Sequence, residues 1–390
     1  MLSKRAAHGL ALAAFFAGAA VAGAAAAETG VHADRIVFGQ SAALEGPASA
    51  LGLGMQLGVR AAFAEANAAG GVGGKTLELV SYDDGYEPER AIEQTKKLIE
   101  QDQVFALIGG VGTPTSKAAQ PIATEMSVPF VAPFTGASFL RDPSLGNVVN
   151  VRASYGQETE AWIRHLHDGL GYDRIAILYQ DDSFGRVGLA GVEQAMTKRG
   201  LKLVAEGTYT RNTTAVKGAL LEIRKAKPQA VVMVGAYKPV AEFIKLARKV
   251  KLDAVFVNIS FVGSKALAAE LGPDGAGVIV SQVVPLPWDS SIPMIQAYAA
   301  ALKSVDANAE PGFVSLEGYI AGRLAVEAMR QAKGELTREA FLAAIKDVGS
   351  FDLGGITLDF GADDNQGMDQ VFLTEIQADG SFKPVGGSGS

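Results

Sequence analysis

The chain has 390 residues, with 35 basic and 42 acidic side chains, four histidines and no cysteine. The acidic balance disfavours nucleic acid and anionic lipid as partners, and the lack of cysteine excludes disulfides and thiolate metal sites. Stability is then left to buried apolar area, over a length that one core rarely spans, so two domains are expected.

Lys4 and Arg5 precede an apolar run over 10–22, and Ala25-Ala26-Ala27 supplies the small side chains a signal peptidase requires. The pattern predicts a secretory signal peptide over 1–27, cleaved before Glu28, because the apolar run is too short for a membrane span. Loss of Lys4 and Arg5 takes the net charge from −7 to about −9. Without a cysteine near the cleavage site there is nothing to lipidate, so a freely soluble, monomeric mature protein is expected. Residues 386–390, Gly-Gly-Ser-Gly-Ser, read as a flexible tail.

Beyond the signal, short β-branched runs alternate with helical patterns. Strands are expected over 35–39, 77–82, 104–108, 128–132 and 148–152, with helices over 55–68, 89–101 and 114–126 between them. The pattern restarts with helices over 158–170, 188–199, 216–226 and 240–250 and strands over 174–179, 203–207, 230–234 and 254–258. Helices follow over 292–304, 313–331 and 338–347, then strand-like runs over 355–360 and 369–376. Such alternation predicts α/β architecture: two doubly wound lobes of parallel sheet with helices on both faces. The expected division is 28–151 plus 285–354 for lobe I and 152–284 plus 355–385 for lobe II. No Pro/Gly/Ser-rich linker separates them, so several short crossings are expected, a hinge that bends and resists twisting.

The run Gly70-Gly71-Val72-Gly73-Gly74-Lys75 follows a helix and precedes a strand, the reverse of a phosphate loop, and reads as a turn. The segment Gly109 to Lys117 does lie between strand and helix, but Lys117 lacks the preceding glycine of a nucleotide loop. What remains is a helix whose first turn carries Thr113, Pro114, Thr115 and Ser116, with Thr113 as cap and free N–H groups that attract a carboxylate. A second hydroxyl- and glycine-bearing strand end is Phe134-Thr135-Gly136-Ala137. Two such ends in one lobe suit ligand binding at the edge of an open parallel sheet. No G-x-S-x-G elbow and no H-E-x-x-H motif occurs, His165 and His167 point to different helix faces, and Asp83-Asp84 and Asp181-Asp182 read as turn caps. Neither catalysis nor a metal or other cofactor is expected.

Several short motifs in this order resemble the type I periplasmic solute-binding proteins, in their leucine/isoleucine/valine-binding branch. They are Leu44-Glu45-Gly46-Pro47, Asn67-Ala68-Ala69-Gly70-Gly71-Val72, Tyr82-Asp83-Asp84-Gly85, Ile108-Gly109-Gly110, Arg174-Ile175-Ala176-Ile177, Phe184-Gly185 and Gly235-Ala236-Tyr237. The resemblance covers nearly all of the mature chain. It implies a cleft between two lobes joined by three crossovers, with ligand contacts from both sides. Leu51 stands where the branched-chain receptors place an aromatic, and Thr113 matches a serine that binds the ligand carboxylate. Phe134, Thr135 and Gly136 match the segment that holds carboxylate and ammonium. Phe184 replaces a tyrosine, Tyr237 matches one, and Ser260 takes the place of the acid that receives the ammonium.

A buried ammonium needs a charged or multiple-acceptor partner, which Ser260 is not. Leu51, Tyr86, Phe134, Tyr155, Phe184, Tyr237 and Phe261 would instead line an apolar or aromatic body. The expected ligand is therefore a small carboxylate-bearing solute, an amino acid or an aromatic or aliphatic acid, with an apolar or aromatic body ranked above a plain branched-chain amino acid. It is held first by Thr113 and the 135–137 backbone and then enclosed by the second lobe. Arg152, at the first crossover, reads as a lobe-bridging residue. The resemblance implies a periplasmic receptor that delivers its solute to an ABC transporter permease of the inner membrane. Rivals are a same-fold receptor serving a sensor kinase or chemoreceptor and, from another class, a two-lobed hydrolase or lyase, for which no nucleophile–base pair is found.

Overall fold

A computed structural model describes residues 28–385; the expected signal peptide and the glycine–serine tail lie outside the described residues. The chain builds two lobes. The first holds a parallel sheet of β1 (Arg35–Ala42), β2 (Thr76–Asp83), β3 (Ala106–Ile108), β4 (Phe130–Val131) and β5 (Val148–Val149), in the order β2-β1-β3-β4-β5. The second is founded on β6 (Ile175–Gln180), β7 (Ala205–Tyr209), β8 (Ala230–Val234), β9 (Val255–Asn258) and β10 (Ile279–Gln282), all parallel. A hairpin of β11 (Ser350–Asp352) and β12 (Thr357–Asp359) stands apart. Then β13 (Phe372–Ile376) and β14 (Phe382–Pro384) extend the second sheet antiparallel, giving β14-β13-β10-β9-β8-β6-β7.

The central strands are continuous apolar runs because both their faces are covered. Every residue of β6 and of β8 is buried, as a parallel sheet between helical layers requires. The covering helices bury one stripe each. In Tyr237–Lys249 the buried residues are Tyr237, Pro239, Val240, Ala241, Phe243, Ile244 and Ala247, while the last turn carries Arg248 and Lys249, suited to the negative end of the helix dipole. In the first lobe the Ser49–Ala68 helix lies against Phe313–Gln331, a partner some 260 positions later. The approach is close: a Cβ on Gly58 would stand 2.0 Å from the Ser315 carbonyl oxygen, and one on Gly318 would stand 2.4 Å from that of Met55.

Three passages join the lobes: after β5, after β10, and between Gln366 and β13. The first and third run side by side. The Asn150 N–H donates to the Asn365 carbonyl at 2.7 Å and the Gly367 N–H to the Asn150 carbonyl at 2.8 Å. The third passage therefore falls later than the expected boundary at 354/355. Residues 355–366 stay with the first lobe, where β12 pairs with β11 and the Phe360 N–H donates to the Gly349 carbonyl at 2.5 Å. The Ser264–Leu271 helix and β10 were not expected from the sequence. β10 ends in Ser281 and Gln282, both buried, so its apolar run is too short to register.

Both sheets reverse their strand order, between β1 and β3 in one and between β6 and β8 in the other. At such a point the loops leaving neighbouring strands diverge and open a crevice beyond their carboxyl ends. The two crevices face each other, and every ring of the site described next comes from a loop or helix start at such a strand end.

Candidate functional site

Five aromatic rings meet between the lobes. Tyr86 follows β2, Phe134 follows β4, Tyr155 opens the Tyr155–Ile163 helix, Phe184 lies in the first turn after β6, and Phe261 sits in a short turn after β9. Each is at most 1 % exposed. Phe261 is central, with ring centroids 4.7 Å from Phe184, 5.3 Å from Phe134 and 5.8 Å from Tyr86; Tyr155 lies 5.5 Å from Phe184. These tilted contacts, at 32–58°, are favourable aromatic arrangements. The lobes are shut on one another. Tyr86 adopts a left-handed φ of 62°, and Asp84 Oδ1 holds its N–H at 2.8 Å. Its hydroxyl accepts from Gln180 Nε2 of the second lobe at 3.2 Å.

A charged group lies beside two of the rings. The Arg152 guanidinium, fully buried, stands 5.1 Å from the Phe134 centroid and 5.6 Å from that of Tyr155. Its Nη2 donates to Glu158 Oε1 at 3.0 Å and to the Ser260 hydroxyl, and its Nη1 lies 3.6 Å from Glu317 Oε1 across the lobe interface. Glu158 is fully engaged. It also accepts from the Ser260 N–H at 2.9 Å, the Ser260 hydroxyl at 2.9 Å and the Ser281 hydroxyl at 2.5 Å. By contrast, Arg152 Nε and Nη1, Glu317 Oε1 and the Tyr155 hydroxyl are buried without a hydrogen-bond partner. Burial pushes the Glu317 carboxyl up to about 7; Arg152 opposes the shift, Glu158 adds to it and Arg141 opposes it.

The expected carboxylate-binding threonines are present and adjacent. Thr113 opens its helix, and its hydroxyl lies 2.6 Å from that of Thr135, whose oxygen also accepts from the Ala137 N–H at 3.2 Å. Gly136 is a packing residue: its carbonyl accepts from the Tyr155 N–H at 2.7 Å, and a Cβ there would stand 2.5 Å from Tyr155 Cδ1. Thr115 does not join them. Its hydroxyl turns back to the carbonyls of Val111 and Gly112, the latter at 3.0 Å, and lines a small cavity inside the first lobe. The expectation for Thr115 is thus corrected by capping: one turn of helix aims Thr113 at the cleft and Thr115 at its own loop.

Leu51 and Tyr237 form a flank beside the rings rather than part of the cage. The Tyr237 hydroxyl accepts from the Ala50 N–H at 3.4 Å, and Leu51 lines an interlobe cavity of about 180 Å³ with Gly263 and Phe313. On the opposite flank Arg211 and Asn212 of the second lobe grip Glu87 at 2.7 Å each, and Asn212 also donates to the Gly85 carbonyl at 3.0 Å. The carboxylate pairs serve turns and surface pairs. Asp182 caps Phe184 and pairs with Arg211, Asp181 pairs with Arg186, and Asp83 accepts three backbone N–H groups. Among the described residues no group of carboxylates and histidines could hold a metal ion.

Ser260 lies against Arg152 and Glu158, so the charge it lacks is close by. Glu158 binds it directly, and Glu317 faces the same arginine. Sequence reading passed over both acids. The signal for Glu158 was Ser154-x-x-Gln157, a capping box in which both reciprocal bonds form. It starts the helix at Tyr155 rather than 158 and puts Tyr155 and Glu158 on one face. For Glu317 the only signal was a lone acid among Leu316, Gly318, Tyr319 and Ile320.

A family model described as periplasmic binding protein matches residues 35–381. The chain belongs to the type I periplasmic binding proteins, in the leucine/isoleucine/valine-binding family. A solved structure described as a possible leucine/isoleucine/valine-binding protein from Rhodopirellula baltica is 38% identical, with a TM-score of 0.87, over 91% of this chain and 97% of that one. An amino acid binding protein of Pseudomonas aeruginosa is 24% identical over 238 residues, 61% of this chain and 63% of that protein. A solute binding protein from R. palustris, solved in complex with benzoate, shares the fold at 22% identity and a TM-score of 0.79, over 90% and 96% of the two chains. Membership of this family implies a small-molecule ligand. No helix among the described residues is long and apolar enough to cross a membrane.

Proposed function

We propose that this periplasmic binding protein is the receptor component of an ABC transporter and closes on a small organic acid with an apolar or aromatic body. Support comes from one juxtaposition: Arg152, with Nε and Nη1 buried and without a hydrogen-bond partner, stands against the Phe134 and Tyr155 rings, which pack on Phe184 and Phe261 of the second lobe. A carboxylate satisfies those donors and the Tyr155 hydroxyl, while the rings cover the rest of the molecule. Thr113, Thr135 and the Ala137 N–H add polar contacts from the first lobe. Closure then follows by population shift, since a solute touching both lobes stabilises only the shut form. The permease reads that form, and the receptor acts as a monomer.

The test is a thermal-shift screen of aromatic acids, aliphatic acids and amino acids against the purified protein. A solute at about 100 times its Kd stabilises by about 2.7 kcal/mol through mass action. An aromatic or aliphatic acid should give the largest rise in Tm, and the Thr113→Ala and Tyr155→Phe variants should lessen it while remaining folded. Strongest stabilisation by leucine, isoleucine or valine would overturn the solute class.

A further inference from the structure

Three buried ionic groups, Arg152, Glu158 and Glu317, meet at the lobe interface with the part-buried Arg141 nearby, and the four charges cancel only while Glu317 is ionised. Arg152 faces Glu317 from the first passage, and Glu158 from the Tyr155–Ile163 helix. Arg141 acts on it from the Ser138–Arg141 turn, whose guanidinium donates to the carbonyls of Ala137 and Arg152 at 2.9 Å each. The Ser49–Ala68 helix meets this level with Met55 and Gly58, and its Glu65 is turned to Tyr319 and Arg323. Glu158 is saturated by four donors, whereas Glu317 is held by one cation at 3.6 Å and keeps an unpartnered oxygen.

We propose that Glu317 takes up a proton when the cleft receives a carboxylate that brings no ammonium, and thereby sets the selectivity of the cleft by pH: acids need that proton and amino acids do not. The proposal rests on the solute class above. A carboxylate entering at Arg152 leaves one uncompensated negative charge in a water-excluded site, which is strongly unfavourable. The group that relieves it with least work is the carboxyl already raised to about 7. One proton passes from buffer to Glu317, whose O–H then donates to the solute carboxylate. An amino acid brings its own ammonium, which pairs with ionised Glu317 and needs no proton.

The two cases have opposite signs. If the complex holds one more proton than the free protein, affinity is level below about pH 7 and falls toward tenfold per pH unit above it. If an ammonium pairs with Glu317, affinity instead weakens as pH falls below that value. The experiment is titration calorimetry of the full mature chain with benzoate, hexanoate and leucine, from pH 6 to pH 9, in two buffers of different ionisation enthalpy. Benzoate or hexanoate should bind with close to one proton taken up at pH 8. Glu317→Gln, a neutral isostere of the protonated acid, should lose the pH slope and the proton uptake. Acid binding without proton uptake, or with the same slope in Glu317→Gln, overturns the role of Glu317 and leaves the solute class intact. Leucine binding that weakens toward pH 6, or no binding by either acid, overturns the solute class and this selectivity with it. The wild-type pH profile alone separates the first two outcomes, so the test survives a misfolded variant.

Discussion

Replacing Arg152 by alanine is the sharpest test of the charged centre. The variant strands Glu158 and Glu317, both buried, without their shared cation. Breaking a buried pair by removing one partner typically destabilises by about 3–5 kcal/mol. Loss of the stacking on Phe134 and Tyr155 adds about 0.5–2 kcal/mol, so a deficit of about 3.5–7 kcal/mol is expected at neutral pH. The deficit depends on pH, and its sign follows from Glu317. Its folded value of about 7 lies above its ordinary 4.5, so its stabilising contribution is complete below pH 4.5 and is lost as pH rises through 7. Without Arg152, which opposes that rise, the folded value climbs further, and each additional unit costs about 1.4 kcal/mol at alkaline pH. Urea unfolding followed by circular dichroism, with the midpoint shift multiplied by the slope, reads the deficit at pH 5 and pH 8. It should be clearly smaller at pH 5. A deficit under about 1 kcal/mol, or one equal at the two pH values, would refute the reasoning.

Gly136→Ala places a methyl group against the Tyr155 ring and backbone, at 2.5 and 2.7 Å. It should destabilise by about 1–3 kcal/mol and weaken solute binding, and unchanged melting and affinity would show that Tyr155 is not fixed there. The Arg211–Glu87 pair is partly exposed, so a double-mutant cycle with Arg211→Ala and Glu87→Ala should show a coupling of only about 0.2–1 kcal/mol, weakened by salt. Because the pair spans the lobes, Arg211→Ala should also hasten solute release about two- to fivefold in stopped-flow measurements, and an unchanged rate would remove it from the clasp.

The strand–helix alternation was legible because central parallel strands are unbroken apolar runs, and ligand loops follow their carboxyl ends wherever the order reverses. Thr113 and Phe134 could be placed in that way, whereas Phe184 and Phe261 entered through the resemblance to a known family. Thr115 could not be separated from Thr113, since the direction of a hydroxyl in a first helical turn depends on which carbonyls lie behind it. Glu158 and Glu317 were hidden for a different reason. An acid in a helix is an ordinary surface residue unless the opposing lobe covers it, and covering is a property of the closed molecule. The late third passage escaped notice because β12 and β13 read alike as short alternating runs, and only pairing tells which lobe each joins.

The pairing of Ser49–Ala68 with Phe313–Gln331, together with β13 and β14 at the edge of the second sheet, bears on how the chain matures. Neither half can finish its own packing until most of the polypeptide has emerged, because each borrows elements made late. Contacts of such long sequence separation form slowly. Each lobe is therefore complete only once segments from the last fifth of the chain have packed into it.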